Sequence, residues 1–158
     1  METDRRPPPT VVDCARVMSY AFVDDIPYKK CGALWVGENL IEHVPRLAIC
    51  LNLGEDIGPM LFHCDTEWNV LGVSGRPTIL ETKELAEQNY PGVGSRWVDL
   101  NTPVEEALGF YDAQTRGGRC SFCGKRPFEL EGNWIAGDDA IICRGCIERY
   151  HSALHSGD

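Results

Sequence analysis

Four of the eight cysteines fall in two C-x2-C pairs, Cys120-Ser121-Phe122-Cys123 and Cys143-Arg144-Gly145-Cys146, with nineteen residues between them. Two residues between ligands let a tight knuckle aim both sulfurs at one metal, and the longer excursion lets a hairpin bring the second pair back to complete a tetrahedron. Four thiolates in that geometry suit Zn²⁺, with iron as the competing metal. A redox or packing role for the same thiols is the alternative, and the spacing argues against it. A four-cysteine shell leaves no position for water or substrate, so the expected ion is single and structural. Its binding would supply much of the folding energy of a unit whose own core is small.

The residues between and after the pairs supply the elements such a site needs. Gly124 follows the first knuckle, Pro127-Phe128-Glu129-Leu130 and Asn133-Trp134-Ile135-Ala136 read as strands, and Glu131-Gly132 makes a turn between them. Ile147 to Leu154 reads as a short helix starting at the last ligands.

Cys120-Ser121-Phe122-Cys123-Gly124-Lys125, Ile135-Ala136-Gly137, Ile142-Cys143 and Cys146-Ile147 resemble the N-terminal zinc-binding domain of the ClpX unfoldase. The resemblance implies a treble-clef-like finger with Cys120, Cys123, Cys143 and Cys146 as ligands, able to dimerise and to recognise proteins rather than nucleic acid. It also implies a binding surface drawn from apolar residues such as Phe122, Phe128, Trp134 and Ile147. In that family the module precedes an ATPase. Here it stands at the end of the sequence, and no G-x4-G-K-[ST] loop occurs, so unfoldase activity is not expected.

The 158-residue chain carries a formal charge of -9, unevenly spread. Residues 1–115 hold nine basic and eighteen acidic groups, whereas residues 116–158 hold six of each. We therefore expect an acidic domain over 1–115 and a zinc-binding domain over 116–158, divided at the polar segment Thr115-Arg116-Gly117-Gly118-Arg119. Four thiolates and one Zn²⁺ add a formal -2, which Arg119, Lys125, Arg126 and Arg144 can offset locally. Net acidity argues against nucleic acid as a partner and suits steering toward a basic protein.

In the first domain, Thr10 before Val11, Val12, Ala15, Val17 and Met18 reads as the cap of an amphipathic helix, with Pro7-Pro8-Pro9 as a frayed lead-in. Ala33 to Ile41 reads as a hairpin turning near Gly37, and Leu47 to Leu53, Met60 to Cys64 and Asn69 to Gly72 read as strands. Thr78-Ile79-Leu80-Glu81 is a capping box opening a helix to about Tyr90. Arg96 to Leu100 reads as a short strand, and Thr102-Pro103 opens a helix to about Gln114. The expected fold class is α+β, a mainly antiparallel sheet with packed helices, followed by the small C4 finger.

Apolar runs stop well short of the roughly 18 residues a membrane span needs. Met1 to Thr10 offers no apolar stretch for a signal peptide, so no membrane partner and a cytoplasmic setting with reduced thiols are expected. Cys14, Cys31, Cys50 and Cys64 are then expected as small core residues, and Trp35, Trp68, Trp97 and Trp134 as packing residues. His63-Cys64-Asp65 invites a nucleophile reading, but neighbours on a strand point to opposite faces, so His63 and Cys64 would not meet. His43 could add a ligand only from a distant set, and His151 and His155, four apart on a helix, lack a third one nearby.

Leu61-Phe62-His63-Cys64-Asp65-Thr66-Glu67-Trp68-Asn69-Val70-Leu71-Gly72, with the helix at Lys83 to Tyr90 and Arg96-Trp97-Val98, resembles a group of small bacterial proteins, some immunity-like. The combined expectation is a non-enzymatic protein-binding protein, an immunity protein whose acidic domain neutralises a basic toxin, with a finger that extends the interface or forms a homodimer. An adaptor or regulator linked to ClpXP proteolysis is the alternative, and a hydrolase centred on Cys64 the third.

Overall fold

The alternation Ala15-Arg16-Val17-Met18 has the period of a strand, and the segment expected as an opening helix is extended. The structure, a computed structural model, describes residues 4–115, 118–130 and 132–157. β1 (Val11–Val12) turns at Asp13, whose φ is +52°, into β2 (Ala15–Phe22). Along β2, Ala15, Val17, Ser19 and Ala21 are buried and their neighbours half-buried. The valines at 11, 12 and 17 are β-branched and favour this extended backbone, which outweighs the capping signal at Thr10.

β3 (Leu34–Val36) and β4 (Asn39–Ile41) form the expected hairpin, with Gly37 at φ +61° in its turn. β5 (Arg46–Asn52), β6 (Pro59–Cys64) and β7 (Val70–Gly75) follow. The sheet runs β1-β2-β5-β6-β7, antiparallel throughout, and β8 (Val98–Asp99) pairs with β2.

A bulge in β2 lets one strand serve two cores. Val17 lies opposite Cys50 and Ser19 opposite Ile49, so Met18 is an extra residue. Before it, Ala15 and Val17 pack with Ala48, Cys50, Phe62 and Cys64. After it, Ala21 joins Leu47, Ile49 and Leu61 on the opposite face. One inserted residue reverses the side-chain parity and curls the sheet. The Met18 carbonyl accepts from Leu100 N (2.8 Å) and Asn101 N (2.9 Å), fixing the segment that leaves β8.

α1 (Ile79–Asn89) covers the second of these faces. Thr78 Oγ1 accepts from Glu81 N, and Glu81 Oε2 accepts from Thr78 N, closing the expected capping box. Ala86 and Tyr90 pack on Leu47, Ile49 and Leu61, and the Tyr90 hydroxyl accepts from Val44 N at 2.8 Å. The first face is closed by Trp68, held at φ +66° in the Asp65 turn, where Asp65 Oδ1 accepts from Glu67 N and Asn69 N.

The N-terminal segment is docked rather than frayed. Trp68 Nε1 donates to the Arg6 carbonyl at 3.0 Å, Pro8 is buried, and the buried Arg46 guanidinium lies over the Phe22 and Trp68 rings and donates to the Asp4 carbonyl. Cation–π contact and a carbonyl acceptor satisfy a charge that burial would otherwise disfavour.

The chain divides into two compact units, Met1–Phe110 and Tyr111–Asp158. The division falls within α2 (Val104–Gln114). In the second unit, Pro127–Glu129 is a 3₁₀ turn, not the expected strand: Glu129 Oε2 accepts from Arg126 N at 2.7 Å and bends the chain back. The hairpin is instead β9 (Trp134–Ala136) with β10 (Ile141–Cys143), Trp134 opposite Cys143, followed by α3 (Arg144–His155). Glu131 of the expected turn, and Arg116 and Gly117 of the expected linker, lie outside the described residues.

Candidate metal centre

The first knuckle is built by backbone hydrogen bonds. Cys120 N donates to the Lys125 carbonyl (2.9 Å) and Gly124 N to the Cys120 carbonyl (2.8 Å), with Gly124 at φ +73°, where glycine carries no steric cost. The knuckle is tied to the hairpin by Ser121 N to the Ile141 carbonyl (2.7 Å) and Ile141 N to Ser121 Oγ (3.1 Å). Cys143 N donates to Cys120 Sγ at 3.4 Å. Cys143 is the N-cap of α3 and Cys146 lies in its first turn, where the helix dipole favours thiolate.

This scaffold brings Cys120, Cys123, Cys143 and Cys146 together, every sulfur within 4.8 Å of every other. The Cys120–Cys146 and Cys123–Cys143 sulfurs are each 3.8 Å apart. A Zn–S bond of about 2.3 Å places tetrahedral sulfurs about 3.8 Å apart, while a disulfide needs about 2.05 Å. The donor set therefore fits one structural Zn²⁺. Residues 118–156 match the ClpX C4-type zinc finger. The match covers 39 of 158 residues, all in the second unit. No curated protein and no solved structure matches the chain, so the immunity-like resemblance of the first unit gains no support.

Two thiols of the ClpX-type finger are shifted in opposite directions. Burial opposes ionisation of Cys120, but N–H donors from Cys123, Cys143 and Phe122 outweigh it and bring that thiol down to about 6. Burial and the adjacent sulfurs push Cys146 up to about 12. Four sulfurs this close cannot all ionise without a metal to share their charge.

The arginines expected to offset the thiolates are engaged elsewhere. Arg119 and Arg126 bind Asp112, and Arg144 Nε donates to Glu148 Oε1 at 2.7 Å. The fourth cation of the expected set, Lys125, and an unexpected one, Arg149, border the sulfurs. Both line a cleft of about 410 Å³ beside Cys123, Cys143 and Cys146. Arg149 lies three residues past Cys146, one turn along α3, a spacing that could have marked it from sequence. Asp112 carried no such signal.

Apolar side chains around the finger are divided between packing and solvent. Phe122 (55% exposed) and Ile135 (63%) point outward, and Phe122 meets the Tyr150 ring at 5.3 Å between centroids. Phe128, also expected at the binding surface, is half-buried against Tyr111, and Ile147 is half-buried. Trp35 and Trp134 are exposed, contrary to the packing expectation, each on a three-residue hairpin arm, and for Trp134 the exposure agrees with its expected place at the binding surface.

The remaining candidates do not assemble into a second centre. Cys50 and Cys64 are core residues, as expected, but Cys14 is half-buried and Cys31 exposed, its thiol donating to the Gln88 carbonyl at 3.1 Å. Burial pushes the Cys64 thiol up to about 12 and holds His63 down at about 4. His63 Nε2 meets Ser74 Oγ at 2.9 Å rather than Cys64. His43 Nε2 sits 3.2 Å from the Val23 and Ile26 carbonyls. His151 and His155 meet edge to face, ring centroids 4.4 Å apart, on an exposed helix face, and no third ligand joins them among the described residues. No helix among those residues is long and apolar enough to cross a membrane.

Proposed function

We propose that this is a non-enzymatic protein-binding protein in which a zinc-organised finger presents an apolar surface and the acidic first unit engages a basic partner. The observation that carries the reading is the ClpX-type finger with Phe122, Tyr150, Ile135 and Leu154 left in solvent on a module that has almost no apolar core of its own. Apolar side chains of this kind serve as interface anchors. A closed thiolate shell, a Cys64 thiol that stays protonated and a His63 that does not face it support the absence of catalysis.

The acidity of residues 1–115 favours immunity against a basic toxin, acting in the cytoplasm, with the finger extending the contact or pairing two copies. In the test, the chain is co-expressed with the strongly basic product of a neighbouring gene. Protection of growth and a complex that weakens as salt rises are expected, and no protection overturns the immunity reading. The family match favours a second reading, an adaptor or regulator linked to ClpXP proteolysis. It predicts capture of an isolated ClpX finger by the zinc-loaded chain, lost in Phe122→Ala/Tyr150→Ala at unchanged zinc content.

A further inference from the structure

The matched finger begins at residue 118, yet the compact unit that contains it begins at Tyr111. The additional residues include one carboxylate with two cationic partners. Asp112, in the last turn of α2, accepts from Arg126 Nε (2.7 Å) and Arg126 Nη2 (2.9 Å) and from the Arg119 guanidinium. Arg119 is the residue before Cys120, and Arg126 is three residues after Cys123. The two arginines are therefore the two ends of the segment that carries the first pair of ligands, and a single side chain holds both. The Tyr111 ring packs on Phe128 at 5.0 Å, and Thr115 Oγ1 donates to the Tyr111 carbonyl at 3.0 Å, so the turn bearing Asp112 is itself held in place.

We propose that Asp112 is a positioning residue for the metal centre: by clamping Arg119 and Arg126 together it pre-forms the Cys120–Cys123 knuckle in the shape the metal requires. The reasoning is one of preorganisation. Without the clamp, Arg119 would lose its carboxylate partner and Arg126 would keep only the longer contact to Glu129 (3.6 Å), so nothing would tie the two ends of the segment together and it would spread. Metal binding would then have to close the loop as well as coordinate to it. Bidentate geometry on Arg126 gives direction as well as attraction, which a neutral amide at 112 cannot reproduce.

The test uses the full zinc-loaded chain at neutral pH, with release to a chromogenic chelator as one readout and the d–d spectrum of the Co²⁺-substituted protein as the other. Asp112→Asn is expected to lose zinc about tenfold or more faster, in the range seen when groups supporting a metal site are removed. Asp112→Glu should recover part of that loss. To separate lost positioning from lost zinc uptake, the same substitution is also made in an Arg119→Gln/Arg126→Gln background. There it should change release by less than twofold, since its partners are gone. Release from Asp112→Asn within twofold of the parent overturns the proposal. An undiminished effect in the double-glutamine background, including failure of the triple variant alone to bind metal, overturns it equally.

Discussion

In the first unit the side chains withdrawn from solvent include Ala21, Leu47, Ile49 and Leu61, carried on adjacent strands and covered by Ala86 and Tyr90. In the second, among the described residues, they are Cys120, Cys143 and Cys146, with Leu130 and Ile142 half-buried against them, and apart from them Tyr111. The first unit buries carbon, and withdrawing that surface from water is itself stabilising. The second buries sulfur, which contributes little until a cation joins the thiolates, and its helix and hairpin are too short to persist alone. Both units use the same backbone elements, so the contrast locates stability in what fills the centre.

The largest way to test that contrast is to remove the metal. Chelation, or Cys143→Ser, should unfold the finger, because zinc supplies about 10–16 kcal/mol to comparable finger peptides. Trp134 reports on the finger and Trp68 on the sheet. The Trp134 indole N–H resonance should therefore collapse to a solvent-like position while that of Trp68 stays put. Simultaneous loss of both would show that the sheet depends on zinc too.

The complementary change is Leu61→Ala, a fully buried side chain on β6. It should lower the urea stability of the first unit by about 2–5 kcal/mol, and the finger should still carry one zinc per chain. A drop in metal content on the same variant would break the separation. A smaller effect comes from His63, which burial holds at about 4 against an ordinary 6.5. The unfolded chain takes up that proton first, so stability is full above pH 6.5 and falls as pH drops toward 4, by up to about 3 kcal/mol. His63→Gln should flatten this slope when unfolding is followed at Trp68, whereas an unchanged slope would assign it to other groups.

Much of the candidate site was legible because its information is local. Ligands two residues apart specify a knuckle whatever surrounds them, and the capping box at Thr78–Glu81 and the turn at Gly37 are equally short-range. The errors came where several partners compete for one segment. Thr10 with Val11, Val12 and Ala15 carries a helix signal, but β5 offers Ala15 to Phe22 a ladder of hydrogen bonds and two apolar faces. Pro127 to Leu130 has strand-like composition, but Glu129 folds back on Arg126 and leaves the pairing to β9 and β10.

Sequence by itself determined the four metal ligands, the closed character of their shell, the acidic bias of residues 1–115 and the α+β class, since spacing, charge and periodicity are properties of neighbours along the chain. Tertiary structure alone decided that Met18 bulges so that β2 faces two cores, that Trp68 is sealed under Arg6 while Trp134 is bare, and that Arg119 and Arg126 serve Asp112 rather than the sulfurs. The reason is reach. Guanidinium and indole groups sit at the ends of side chains long enough to choose among several partners, and only the folded backbone brings one of those partners within hydrogen-bonding distance.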